Sequence, residues 1–305
     1  MSLVGPGGVG KTRLAVRAAF DLARGFRGGA WLVELAELRD ATLVPNAVLR
    51  ALDLRDLSET GPLDVLLQFL RERELLLVID NCEHVLDAAA RIASDVIRAA
   101  PGVRVITTTR EPLSIDGEHV VAVPPLDLPA RDQPLNQVAE NEAVRLFVER
   151  AAWASGSFEL TTANQAAVAE LGRRLDGLPL AIELAAVRTR VLSIEQILDR
   201  LTDRFELLTG GSRAALPRHQ TLRTTIDWSY DLLAEGEKTL LRRLCVFAGD
   251  FSIEDIEAVC SCPALDQLTS LVDKSLVMKH DRARDARYRL HETMREYARQ
   301  AARGG

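Results

Sequence analysis

Over roughly the first 124 positions, short apolar runs alternate with longer stretches in which apolar residues recur every three or four places. The runs over 2–4, 30–35, 75–79, 103–107 and 119–123 predict strands. Between them, Leu14, Ala15, Ala18, Ala19 and Leu22 keep helical spacing, as do Val85, Leu86, Ala89, Ile92, Ala93, Val96 and Ile97. Strands that alternate with amphipathic helices predict an α/β fold built on a largely parallel sheet. Pro124-Pro125, Pro129 and the polar stretch over 131–137 mark a boundary.

Past that boundary the period becomes helical, with helices predicted over 139–153, 162–175, 178–189 and 193–203. Ser193 with Gln196 reads as a capping box for the last of these. From about position 216 the pattern predicts three or four short helices. Two apolar runs follow, 275–279 and 287–290, with a charged turn over 281–285 between them. A hairpin behind a helix cluster points to a winged helix. The expected domains are 1–130, 131–213 and 214–305.

Composition narrows the function classes. The chain has 305 residues, 47% apolar and 27% charged, enough to bury a sizeable core. Its 38 basic residues against 44 acidic ones leave a formal charge of −6, which argues against a protein that coats nucleic acid. An anionic ligand would need a local cation. Cys82, Cys245, Cys260 and Cys262 are too few for a disulfide framework and fit a reducing compartment, with Cys260 and Cys262 read as buried thiols. No apolar run is long enough for a membrane span and no signal pattern opens the chain, so a cytoplasmic protein is expected.

The strongest chemical signal is Gly5-Pro6-Gly7-Gly8-Val9-Gly10-Lys11-Thr12, a phosphate-loop pattern between a strand and an amphipathic helix. Its glycines let backbone N–H groups turn toward a phosphate at a helix N-terminus, and Lys11 adds a point charge. Thr12 offers a hydroxyl to Mg²⁺. Only four of the basic residues are lysines (Lys11, Lys238, Lys274 and Lys279), so a lysine at this place reads as a chemical requirement.

The run over 75–79 ends on Asp80, which places a carboxylate at a strand's carboxyl edge as the expected Mg²⁺ residue. Asn81 follows, where an efficient ATPase would carry a second acid. Glu83 is the nearest substitute base, and equally a first-turn carboxylate favoured by a helix dipole. Thr107-Thr108-Thr109-Arg110 ends another strand and places a guanidinium where it can sense a γ-phosphate. Pro179 on its own is helix punctuation, and His291 on its own a cap or structural histidine.

Taken in order, GPGGVGKTRLA (5–15), LLLVIDNCEHVLDAAA (75–90), TTTREPL (107–113), RRLDGLPLAIELAA (173–186), LLRRLCVFAGDFSIEDIEAVC (240–260) and YRLHETMREYA (288–298) resemble the NB-ARC module of the STAND class of nucleotide switches. The likeness is to the ATPase core of bacterial regulators related to the Streptomyces antibiotic regulatory proteins and large LuxR-type regulators. It covers nearly the whole chain. It implies a P-loop NTPase sheet, then a helical domain and a winged helix, binding ATP or ADP with Mg²⁺. On that likeness the nucleotide site runs from Gly5 through Arg13, with Arg110 as sensor, Pro179 toward the adenine, and His291 on the ADP β-phosphate. It also implies that sensor and effector modules lie elsewhere, and that this chain is a fragment or begins after its natural start.

The expected function is a signal-transduction switch, the regulatory core of a transcriptional regulator. ADP would hold it closed, hydrolysis would be slow, and ATP would promote self-association. The first alternative is an efficiently hydrolysing ATPase with Glu83 as base. The second is a winged helix that reads DNA directly, against which stand Asp266 and Asp273 in the expected recognition helix, 264–274.

Overall fold

The computed structural model of the chain describes residues 1–36, 38, 40–54, 61–130, 134–208, 223, 226–227, 229–231, 233–260, 264–274, 276–282, 285–290 and 292–303. The chain divides into two compact units, Met1–Pro124 and Pro125–Gly305, parted at the double proline.

The first unit is a five-stranded sheet: β1 (Ser2–Val4), β2 (Ala30–Glu34), β3 (Leu76–Asp80), β4 (Arg104–Thr109) and β5 (Val120–Ala122). Every pairing is parallel, in the order β2-β3-β4-β1-β5. All five predicted strands form. With only three residues, β1 is short, yet it is paired on both sides, and the Met1 amine donates to the Val105 carbonyl at 2.9 Å.

The uninterrupted apolar run of β3 follows from cover on both of its faces. Leu77 and Ile79 join the core under α2 (Val44–Ala51), α3 (Pro62–Leu70) and α4 (Leu86–Ala99). Leu76 and Val78 join Leu3, Ile106 and the small Ala15 and Ala19 of α1 (Lys11–Leu22). α2 and α3 were not foreseen in the β2–β3 crossover. Each starts with a proline in its first two positions, a start signal overlooked beside the stronger periodicity of α1 and α4.

The second unit opens with α5 (Leu135–Glu140), α6 (Glu142–Ser155), α7 (Gln165–Arg174), α8 (Pro179–Ala186) and α9 (Ile194–Leu208). Asn141 caps α6 by accepting from Ala143 and Val144 N–H. The expected capping box of α9 forms: Gln196 N–H donates to Ser193 Oγ at 3.2 Å, and Ser193 N–H to Gln196 Oε1 at 3.0 Å. α8 buries Leu180, Ala181, Ile182, Leu184 and Ala185, which makes it the centre of this layer.

The C-terminal part is a winged helix: α10 (Glu235–Leu244), α11 (Ile253–Cys260), α12 (Leu265–Asp273), the antiparallel hairpin β6 (Met278–Arg282) and β7 (Asp285–Arg289), then α13 (Glu292–Arg303). The hairpin is displaced from its predicted position. Leu276 and Val277 donate to the Leu271 carbonyl at 3.0 and 3.3 Å, so they close α12. The strands instead take Asp281, Arg282 and Asp285 out of the predicted turn. A two-stranded ribbon tolerates such charges because it is not covered on both faces.

Candidate nucleotide site

Three strand ends build the site. After β1 the chain enters the glycine loop, where Gly8 and Gly10 take φ of 76° and 97°, the left-handed region that glycine occupies without strain. Gly10 caps α1 with no side-chain hydrogen bond, and the first turn of α1 holds no acidic residue. The uncapped N–H groups and the positive helix end therefore face the loop. A Cβ on Gly5 would lie 2.8 Å from the Val123 carbonyl oxygen, so only glycine fits where the loop leaves the sheet. Val9 is buried, and Arg13 is exposed on α1.

Lys11 is only 8% exposed, and its Nζ donates to the Gly5 and Pro6 carbonyls at 2.9 and 3.1 Å. The ammonium thus lies inside the loop it belongs to. Burial lowers its pKa; Glu83 opposes that shift, Arg110 adds to it, and Asp80 opposes it.

At the end of β3, Asp80 is 5% exposed. Its Oδ1 accepts from Thr12 Oγ1 at 2.8 Å and from Thr108 Oγ1. The first bond joins the glycine loop to the acidic strand end. Thr108 was not singled out within its threonine run. Strand alternation, together with the Asn81 N–H that donates to Thr108 Oγ1 at 2.9 Å, selects it.

Asn81 has a structural role the missing acid did not reveal. Its φ of 63° and ψ of 53° are left-handed, a conformation asparagine tolerates, and they turn the chain into the short 3₁₀ segment Cys82–His84. Glu83 then faces Arg110, whose Nε lies 3.2 Å from Glu83 Oε1. Glu83 Oε2 is buried and meets no hydrogen-bond partner. Cys82 is buried beneath this turn; burial first, then Asp80 and Glu83, push its thiol pKa far up, so it is no nucleophile.

Lys11, Thr12, Asp80, Glu83 and Arg110 thus form one cluster at the carboxyl edge of the sheet, where open α/β sheets bind ligands. Pro179 opens α8 in the second unit. His291 lies outside the described residues. The donor set, a threonine hydroxyl beside a carboxylate, suits a hard divalent cation. Phosphate oxygens and water would complete such a site.

Residues 1–119 match the NB-ARC domain, and residues 233–303 match a winged helix-turn-helix domain. Over 305 aligned positions the chain is 38% identical to the uncharacterized protein Rv0894 of Mycobacterium tuberculosis, covering 98% of this chain and 75% of that protein. The chain belongs to the NB-ARC family. A second M. tuberculosis relative, Rv0890c, whose name describes an HTH-type transcriptional regulator, is 43% identical over 98% of this chain, which spans only 33% of its length. The regulatory protein AfsR of Streptomyces coelicolor is 29% identical over 99% of the chain and 29% of its own length. The same fold occurs in a signal transduction ATPase with numerous domains (STAND) carrying a tetratricopeptide repeat sensor, from Pyrococcus horikoshii. Its TM-score is 0.58 at 19% identity, over 98% of this chain and 40% of that one. No described helix is long and apolar enough to cross a membrane.

Proposed function

We propose that this NB-ARC chain is a nucleotide switch, the regulatory core of a larger transcriptional regulator in the cytoplasm. It binds ATP or ADP with Mg²⁺ and hydrolyses ATP slowly. The observation that carries this reading is the Thr12–Asp80 hydrogen bond of 2.8 Å, which ties the glycine loop to the acidic strand end beside the buried Lys11. Gly5 to Thr12, with Arg13 at their edge, cradle the phosphates; Thr12 and Asp80 hold the metal, which neutralises phosphate charge when bound. Arg110 reads the third phosphate. Pro179 takes the adenine side and His291 the β-phosphate of ADP. The working parts are 1–130, 131–213 and 214–305, and exchange of ADP for ATP frees the last of them for self-association and for coupling to sensor and effector modules.

Slow turnover follows from the residues behind Asp80. Asn81 cannot take a proton from water, and Glu83 is engaged in an ion pair with Arg110. Lys11→Ala should weaken ADP and ATP binding about 30- to 100-fold by calorimetric titration, the scale of losing a charge-assisted contact. Steady-state phosphate release from the unaltered chain should stay well below about 1 s⁻¹, under the range of ordinary enzymes. Unchanged binding in Lys11→Ala would refute the site, and rapid release would favour an efficient ATPase with Glu83 as base.

A second reading has its own support. The winged helix-turn-helix match and the names of relatives favour a module that reads DNA. Charge opposes it: α12 carries Asp266 and Asp273 with no cation, and Lys274, which follows, is bound to Glu237.

A further inference from the structure

We propose that Glu83 is a nucleotide-discriminating residue: its carboxylate holds Arg110 in the place a third phosphate would claim, and so biases the site toward the diphosphate. The inference rests on the nucleotide-switch reading and deepens it by assigning what sets the ATP-to-ADP preference.

Two observations converge on Glu83. Its Oε1 pairs with Arg110 Nε at 3.2 Å, with the two side chains 15% and 34% exposed, so the pair is partly withdrawn from water and screened less than a surface pair. Its second oxygen, Oε2, is buried without a hydrogen-bond partner, so this carboxylate is not fully satisfied by the surrounding protein.

An incoming γ-phosphoryl group carries the same charge to the same guanidinium. It must displace Glu83 from Arg110 or suffer its repulsion, whereas a diphosphate ends short of that contest. The left-handed Asn81 turns the chain so that Glu83 points to Arg110. In this account Glu83 is a positioning residue acting through Arg110, and proton abstraction is not its task.

The test is calorimetric titration of the whole chain with Mg-ADP and with a non-hydrolysable Mg-ATP analogue. Glu83→Gln removes the charge and keeps the shape. The expected result is an analogue affinity raised about tenfold with ADP affinity changed less than about threefold. In an Arg110→Gln background, the same substitution should leave the ratio of the two affinities unmoved.

Phosphate release lost in Glu83→Gln with an unchanged affinity ratio would overturn the proposal and make Glu83 the base. Equal losses of both affinities together with a lower melting temperature would make it a structural brace and equally overturn the proposal. Should Glu83→Gln fold poorly, the Arg110→Gln protein alone decides: it should lose the analogue selectively, and equal retention of both nucleotides refutes the idea. If the unaltered chain binds neither nucleotide, the switch reading itself fails and this inference falls with it; if it binds both and only the ratio ignores Glu83, this inference alone fails.

Discussion

Glu237 shows how one buried carboxylate can make a domain sensitive to acid. It is 8% exposed, and burial alone would raise its pKa. Hydrogen bonds from Lys274 and Ser270, with the Ala234 N–H, outweigh burial and hold it below the ordinary 4.5. A carboxyl lowered by folding contributes stability that is fully present above its unfolded pKa and is lost as pH falls through the folded value. Glu237→Gln should cost about 2 kcal/mol at pH 7, below the usual cost of breaking a buried pair because Lys274 keeps about a quarter of its side chain exposed. Thermal unfolding of the two proteins from pH 7 to pH 3 should bring their stabilities together at the acid end. A constant gap across that range would mean the carboxylate charge is not what Lys274 and Ser270 recognise.

Arg188 answers Glu237 from the helical layer. It is 4% exposed, donates through Nη2 to the Ser229 carbonyl at 3.2 Å, and is brought down to about 10 by burial, against which Glu237 acts. At the level of elements, α8 depends on the turn before it. Gly177 takes a φ of 64°, and a Cβ there would stand 2.3 Å from the Leu126 carbonyl oxygen. The same segment is stitched by Leu126 N–H to the Gly177 carbonyl at 2.9 Å, so neither strand of this contact can move away cheaply. Gly177→Ala should therefore destabilise the second unit by about 2–3 kcal/mol, combining left-handed strain with a steric clash. Denaturant unfolding measures it, and a loss under about 0.5 kcal/mol would show that the turn relaxes freely.

For the molecule as a whole, net charge and the winged helix-turn-helix match pull in opposite directions on DNA binding. The net charge of −6 and the acidic α12 give little attraction to a phosphate backbone. Duplex DNA at about 0.1 M salt should leave no retained complex with about 1 μM of this chain in a mobility-shift measurement. A complex whose affinity falls steeply with added salt would instead assign groove binding to the winged helix. That test concerns this chain, which spans about a third of the regulator Rv0890c.

Local signals determined much of this protein. The apolar runs marked all five strands of the sheet, most plainly β3, where a strand buried on both faces needs continuous apolar residues and Leu76 to Ile79 fill both cores. The glycine loop, Lys11, Thr12 and Asp80 stood out equally as a phosphate-loop pattern with an acidic strand end, and the fold joins Thr12 to Asp80. The Ser193–Gln196 cap was visible because both of its bonds close within one helical turn. What the chain could not disclose locally depended on distant partners. Thr108 meets Asp80 across 28 positions, and Glu83 meets Arg110 across 27, through the β3–β4 pairing that brings two separate strand ends together. The shift of the hairpin to Met278 has a nearer cause, since α12 takes Leu276 and Val277 into its closing turn. Composition and periodicity act between neighbours along the chain, whereas the pairing of one carboxylate with one guanidinium is set by strand order and register, which only the folded sheet supplies.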